Sequence, residues 1–147
     1  MRKLLLQGLL KAPLTEAAPE DAAVEKLAAE LNGAARARLG RSLSIREVDA
    51  GSCNGCELEI HALGNAFYDL ERFGLHVVAS PRHADVLLVT GPVAKNMAEA
   101  LKRTYDATPA PKWVVAAGDC AINGGLFAGS YASDGGVEAI VPVDLRI

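Results

Sequence analysis

Two nearly uninterrupted apolar runs constrain this chain more than any other feature: Asp85-Val86-Leu87-Leu88-Val89-Thr90 and Lys112-Trp113-Val114-Val115-Ala116-Ala117. Each is short for a helix and lacks the alternation of a strand with one wet face. Each therefore reads as a strand buried on both sides of a parallel sheet. Parallel neighbours need long crossovers, and helix-like stretches lie between the short β-type segments. Leu43 to Val48 alternates apolar and polar residues and reads as a strand. Glu57 to Phe73 reads as a helix, with Leu58, Ala62, Ala66 and Leu70 stacked at i+4 spacing and Gly74 as its stop. Leu75 to Ala79 reads as a short strand, Ala94 to Tyr105 as a helix, and Ala139 to Val143 as a last strand. The alternation predicts right-handed βαβ units, hence an α/β fold with an open parallel sheet and flanking helices.

Residues 1–41 differ from the rest. Ala17 to Arg38 is rich in Ala, Glu, Lys and Arg, with Leu27, Leu31 and Leu39 at four- and eight-residue separations. That composition predicts a surface helix, opened by Pro19 and weakened at Gly33, which packs on something else. The expected organisation is an N-terminal helical extension over 1–41 and an α/β domain over 42–147. Met1 to Lys11 has the basic start of a signal peptide, but Gln7 and Gly8 interrupt its leucines and no small-residue cleavage pattern follows. It reads better as a weak amphipathic helix docking on a partner or a membrane surface, or equally as a plain surface helix. No apolar run approaches the roughly 18–20 residues that span a bilayer, so the cytoplasm is the default compartment.

Half of the 147 residues are hydrophobic and the net charge is only −3, which excludes a disordered chain and suits one domain. Lys and Arg number 15 against 18 Asp and Glu, so the chain lacks the positive excess that grips nucleic acid.

The chemistry collects at the cysteines, of which there are three: Cys53, Cys56 and Cys120. An odd count in a reducing compartment argues against a disulfide framework and toward metal or redox chemistry. Ligands of open α/β sheets bind beyond the carboxyl ends of the strands. Three loops leave such ends here: Asp49 to Glu57, Thr90 to Pro92, and Gly118 to Gly125. Every cysteine therefore falls on one edge of the expected sheet. Cys53-Asn54-Gly55-Cys56 opens a helix, where the N–H groups and the dipole favour thiolate. Gly51 and Gly55, with Gly118, Gly124 and Gly125 on the other loop, let the backbone wrap closely around an inorganic core. Four readings fit the pattern. A thioredoxin-like redox pair needs no third cysteine on that edge. A structural zinc site needs four ligands, with His61 a possible helper. Three inert core cysteines are the plainest reading, and an iron–sulfur cluster held by thiolates from separate loops is the sharpest. No P-loop or dinucleotide fingerprint is present.

Gly51-Ser52-Cys53-Asn54-Gly55-Cys56-Glu57-Leu58-Glu59-Ile60 resembles the cluster-binding loop of the small electron-transfer subunit of energy-converting (group 4) nickel–iron hydrogenases and formate hydrogenlyase. That subunit is related to the 20 kDa subunit of respiratory complex I. Glu71-Arg72-Phe73-Gly74, the stretch from Ser80 to Gly91, and Gly118-Asp119-Cys120 with Gly124-Gly125 are similar too. The likeness covers about 43–147, and the extension at 1–41 matches more loosely.

The resemblance implies a flavodoxin-like fold holding one 4Fe-4S cluster, with Cys53, Cys56 and Cys120 as ligands. It implies a hydrogenase-type large subunit, a ferredoxin-like iron–sulfur subunit and a membrane arm as partners. The chain would sit on the cytoplasmic, inner face of the cell membrane through them. It would relay electrons and do no bond-making chemistry on its own. The complex I subunit is expected to carry adjacent cysteines where this chain has Cys-x-x-Cys, which favours the hydrogenase branch. A quinone-binding NADH dehydrogenase module of the complex I type and a cluster-less scaffold subunit are the alternatives. The family's fourth cysteine is expected in a Gly-Cys-Pro-Pro turn directly after a strand. Val141 to Ile147 looks like that strand, so the fourth ligand is expected beyond Ile147. Glu57 and Glu59 flank the ligand loop, as candidates for coupling proton movement or, for Glu57, as a plain helix N-terminal carboxylate. Asp119 reads as a turn residue and Asn54 as a loop-shaper. Arg82 and His83 line either a partner interface or a solvated turn.

Overall fold

The computed structural model describes residues 21–147. Five strands form one all-parallel sheet: β1 (Leu43–Asp49), β2 (Leu75–Val77), β3 (Val86–Thr90), β4 (Trp113–Ala117) and β5 (Leu145–Arg146). Their spatial order is β2-β1-β3-β4-β5. Among the described residues four α-helices accompany them: α1 (Asp21–Leu39), α2 (Gly55–Ala62), α3 (Lys95–Ala107) and α4 (Gly118–Asn123). The order 2-1-3-4-5 is the flavodoxin-like winding, which reverses direction between β1 and β3. The expected α/β fold with an open parallel sheet is the observed one.

The two apolar runs account for the centre of the sheet. Leu87 and Val89 of β3 and Val114 and Ala116 of β4 are buried against Leu101 of α3, Val93, Ala121 and Val137. The opposite face, bearing Ile45, Leu88, Trp113 and Val115, lines an apolar groove of about 610 Å³ closed on one side by α1. Arg38 of α1 lies over the Trp113 ring at 5.4 Å. Helix α1 ends in a left-handed Gly40 (φ 71°), whose N–H returns to the Arg36 carbonyl at 2.9 Å. Its exit is then clipped to the sheet. Both guanidinium arms of Arg41 donate to the Asp85 carboxylate, at 2.8 and 2.7 Å, and the Ser44 N–H donates to the same carboxylate at 2.9 Å.

Three expectations need correction. The helix predicted for Glu57 to Phe73 stops at Ala62. The Asn65 side chain accepts from the Phe67 and Tyr68 N–H groups at 2.8 and 3.0 Å, a local bonding pattern that competes with helix, and Leu70–Phe73 resumes only as a 3-10 turn. The last strand lies at Leu145–Arg146, not at Ala139 to Val143. Val137–Ala139 is a 3-10 turn, and Pro142 has no N–H to give a ladder. The strand expected at Leu75 to Ala79 ends at Val77. Gly33 lies inside the continuous helix α1, where glycine costs helix stability without ending the helix. The amphipathic reading of Met1 to Lys11 and the opening at Pro19 lie outside the described residues.

A Cβ at Gly33 would meet nothing within 4 Å. Gly33→Ala is therefore expected to stabilise the protein by about 0.5–1 kcal/mol, read as a higher urea midpoint. Asp85→Ala removes the acceptor for Ser44 and Arg41 from a buried position, with half-exposed Arg41 contributing the smaller share. It is expected to cost about 1–3 kcal/mol in the same measurement.

Candidate metal centre

The strand registers build one rim. Asp49 pairs with Thr90 across β1–β3, and Thr90 with Ala117 across β3–β4, so three strands end at one level. The chain leaves β1 through a turn held by its last residue: the Asp49 carboxylate accepts from the Gly51 and Ser52 N–H groups, both at 2.7 Å. The loop is then zipped to the exit of β3, where Ala50 N–H donates to the Thr90 carbonyl and Ala94 N–H to the Ala50 carbonyl. Packing between these two loops is close at Gly91 (φ 74°), where a Cβ would lie 2.6 Å from the Ser52 nitrogen. Asn54 takes the left-handed conformation (φ 67°) that starts α2, in keeping with its expected loop-shaping part.

Cys56 then stands in the first turn of α2, and the loop from β4 comes to meet it. A Cβ on Gly118 would be 3.1 Å from the Cys56 sulfur, and one on Gly125 would be 2.9 Å from the Cys120 sulfur. Both glycines have positive φ, 80° and 50°. They keep space open beside two sulfurs that come from different loops. All three cysteines are free; Cys53 is exposed, Cys56 and Cys120 half-buried.

The electrostatics differ from the expectation drawn from a helix N-terminus. The Cys56 thiol is pushed above its usual value of 9.0, first by burial and then by the charges of Glu57, Cys120 and Cys53, against one favourable backbone hydrogen bond. Burial and crowded negative charge prevail over that single bond. Nearby, burial also raises the Glu47 carboxyl from 4.5; His61 opposes this, and Glu57 reinforces it. At Asp49, burial acts upward but the hydrogen bonds from Ser52 and Gly51 prevail, and its pKa falls below 3.8.

Not every candidate joins the rim. His61 points to Glu47, at 3.6 Å, and not to the cysteines. Arg82 and His83 are exposed in the 3-10 turn before β3, at the opposite edge of the sheet. Asp119 is exposed in the first turn of α4. Among the described residues, no three His, Cys, Asp or Glu side chains are grouped so as to hold one metal ion. A single tetrahedral zinc, with Zn–S near 2.3 Å, needs such a group; a cluster takes one thiolate per iron and spreads its ligands apart. Three soft sulfurs beside glycine-lined space suit three corners of an iron–sulfur cluster. Sequence reasoning missed Asp49 as the loop's anchor, although an Asp two residues before Gly-Ser is a readable Asx-turn signal. It also missed Glu47, whose partial burial no local pattern announces.

The family model described as "NADH ubiquinone oxidoreductase, 20 Kd subunit" matches residues 53–147. The chain belongs to that family. A probable membrane-bound hydrogenase subunit of Pyrococcus furiosus is 48% identical over 109 residues, covering 74% of this chain and 65% of the relative. Formate hydrogenlyase subunit 7 of Escherichia coli is 41% identical over 129 residues, covering 88% and 51%. An uncharacterized protein of Methanocaldococcus jannaschii is 50% identical over 107 residues, covering 73% and 72%. Among solved structures, a chain of the membrane-bound sulfane sulfur reductase, an archaeal respiratory membrane complex, superposes with a TM-score of 0.64 at 38% identity, covering 79% of this chain and 62% of that one. The chain thus spans between half and three quarters of the lengths of these relatives. Among the described residues no helix is long and apolar enough to cross a membrane.

The Asp49 result fixes a pH dependence. A carboxyl whose folded pKa lies below its unfolded value contributes stability that is complete above the unfolded pKa and is lost as pH falls through the folded one. Loop stability is expected to be constant above about pH 5 and to decline below 3.8. Asp49→Asn should flatten that decline, followed by amide exchange of Gly51 and Ser52.

Proposed function

We propose that the chain is an electron-relay subunit of a membrane-associated, hydrogenase-type complex, and that Cys53, Cys56 and Cys120 are thiolate ligands of a 4Fe-4S cluster. The observation that carries this reading is the approach of the Gly118 turn, two residues before Cys120, to the Cys56 sulfur. When bound, the cluster supplies one-electron redox chemistry. The chain's own residues supply the rest. Asp49 holds the first loop in its turn, Gly118 and Gly125 keep the space open, and burial at Cys56 limits water. Cys53, Cys56 and Cys120 account for three of the cluster's ligands in this reading. The Gly118 N–H donates to the Ile147 carbonyl at 2.7 Å, so the end of the β5 edge lies at this same rim.

The same rim carries large exposed apolar side chains. Leu58 stands two residues past Cys56, and Leu126 and Phe127 follow Gly125; they are 60, 98 and 48% exposed. Grouped exposure of this kind marks an interaction surface, and we assign it to the large subunit. The hydrogenase branch is preferred to a quinone-reducing one because of the Cys-x-x-Cys spacing and the names of two relatives.

Reconstitution of the full chain with iron and sulfide under anaerobic conditions tests the reading. Each of Cys53→Ala, Cys56→Ala and Cys120→Ala should lower bound iron and the reducible EPR signal at least several-fold. Full cluster content in Cys120→Ala overturns the assignment.

A further inference from the structure

The connection from β2 to β3 is the one between strands that holds no α-helix. Right-handed winding carries it over β1, on the face that α3 covers farther along the sheet. Only Val78 to Asp85 make the crossing, and both ends are tied to β1. The Val78 N–H donates to the Ile45 carbonyl and the Asp85 N–H to the Ser44 carbonyl, both at 2.8 Å. Midway, the Ser80 hydroxyl accepts from the Arg82 N–H at 3.3 Å and fixes the Pro81–His83 turn, which packs on α3. Arg82 and His83 stand exposed on that turn.

Arg46 follows Ile45 on β1. It pairs in register with Leu87, so its side chain shares the face that the crossover passes over. The residue is half-buried, and its Nε is buried with no hydrogen-bond partner. Among the described residues no carboxylate lies within ion-pair distance of Arg46, Arg82 or His83. The carboxylates around this strip are committed elsewhere. Asp85 binds Arg41, Glu99 binds Arg103, Asp106 binds Lys102, and Glu71 lies 3.8 Å from His76. Glu47 faces the groove on the other side of the sheet. A partly desolvated guanidinium is unfavourable until an anion meets it.

We propose that this strip, Arg46 with Arg82 and His83, docks an acidic segment of a neighbouring protein subunit, whose carboxylates pair with the two guanidinium groups. The inference rests on the multisubunit part of the reading above and not on the cluster, because the turn lies at the edge of the sheet away from the cysteines. Charge complementarity names the occupant, and two features select protein carboxylates over an anionic membrane. Arginine's planar fork matches a carboxylate with two parallel bonds, whereas binding to a lipid surface draws on clusters of about four to eight Lys or Arg. Arg46 is also recessed at strand level beside the crossover, where an acidic side chain can follow it and a flat headgroup layer cannot.

The test is carbodiimide coupling in the complex purified through a tag on the full chain. R82K keeps the charge and supplies an amine, which should couple to an Asp or Glu of a partner subunit, located by mass spectrometry. R46E/R82E should lower recovery of the complex at least about tenfold at 0.15 M salt, while R46K/R82K retains most of it. Circular dichroism of the isolated variants separates docking from folding. If R46E/R82E does not fold, R82E alone, altered at an exposed position, carries the measurement. An assembled R82K complex with no coupling to a partner carboxylate overturns the inference. So does a charge-reversed chain that assembles normally. Binding to phosphatidylglycerol vesicles that is lost in R46E/R82E while assembly persists assigns the strip to the membrane, and overturns it too. A wild-type chain that enters no complex overturns the multisubunit reading and this inference with it.

Discussion

The rim exists because three parallel strands end in register. The pairings Asp49 with Thr90 and Thr90 with Ala117 bring the exits of β1, β3 and β4 to one level. A one-residue slip in any of them would turn every side chain of that strand to the other face and expose part of the Leu87–Val114 core. The hydrophobic pattern that fixes the core therefore also fixes where the cysteine loops start. Cys53 and Cys120 are 67 positions apart in the chain (120 − 53), yet each follows its strand end by only a few residues. No long-range interaction between the loops is needed to bring them near each other. The winding reversal between β1 and β3 then leaves a crevice at that level, as open α/β sheets do.

The two faces of the sheet are not equally finished. One packs Leu101, Val93 and Val137 against the central strands, all fully buried. The other keeps a groove under α1, whose Leu27 is 67% exposed. The crossovers explain the difference. β3 to β4 and β4 to β5 run in one direction and place α3 and α4 on the same side, whereas the opposite crossover, β1 to β2, contributes only the eight-residue α2. The Arg41–Asp85 clip matters more in this setting, since it ties α1 to the sheet where apolar contact is thin.

The fold was legible because it rests on signals that survive tertiary context. The runs at 85–90 and 112–117 could be satisfied only in the middle of a parallel sheet, and β3 and β4 lie there. What failed was local. Leu58, Ala62, Ala66 and Leu70 keep a helical period, yet Gly64 and the Asn65 side chain end α2 early, because period alone does not weigh side-chain competition for backbone donors. At Ala139 to Val143 the composition suits a strand, but Pro142 withholds a donor and pairing waits until Leu145. At the site, the meeting of the loops followed from topology. The charge state of Cys56 did not, since the dipole argument sees the helix and not the burial or the carboxylate beside it. Glu57 was read as a candidate from position alone; its burial is a property of the packed chain.

The raised thiol at Cys56 bears on how the loop would take up the proposed metal centre. With its proton on, Cys56 is a poor nucleophile and a poor target for oxidation, both of which proceed through thiolate. A metal centre must displace that proton, so binding is coupled to proton release and weakens in acid. In the proposed holo form iron would replace that proton, and its positive charge would partly offset the burial and the neighbouring Glu57, Cys120 and Cys53 that raise the thiol. The surroundings of Cys56 thus oppose a bare thiolate, whereas a cation-rich core of the proposed kind would suit them.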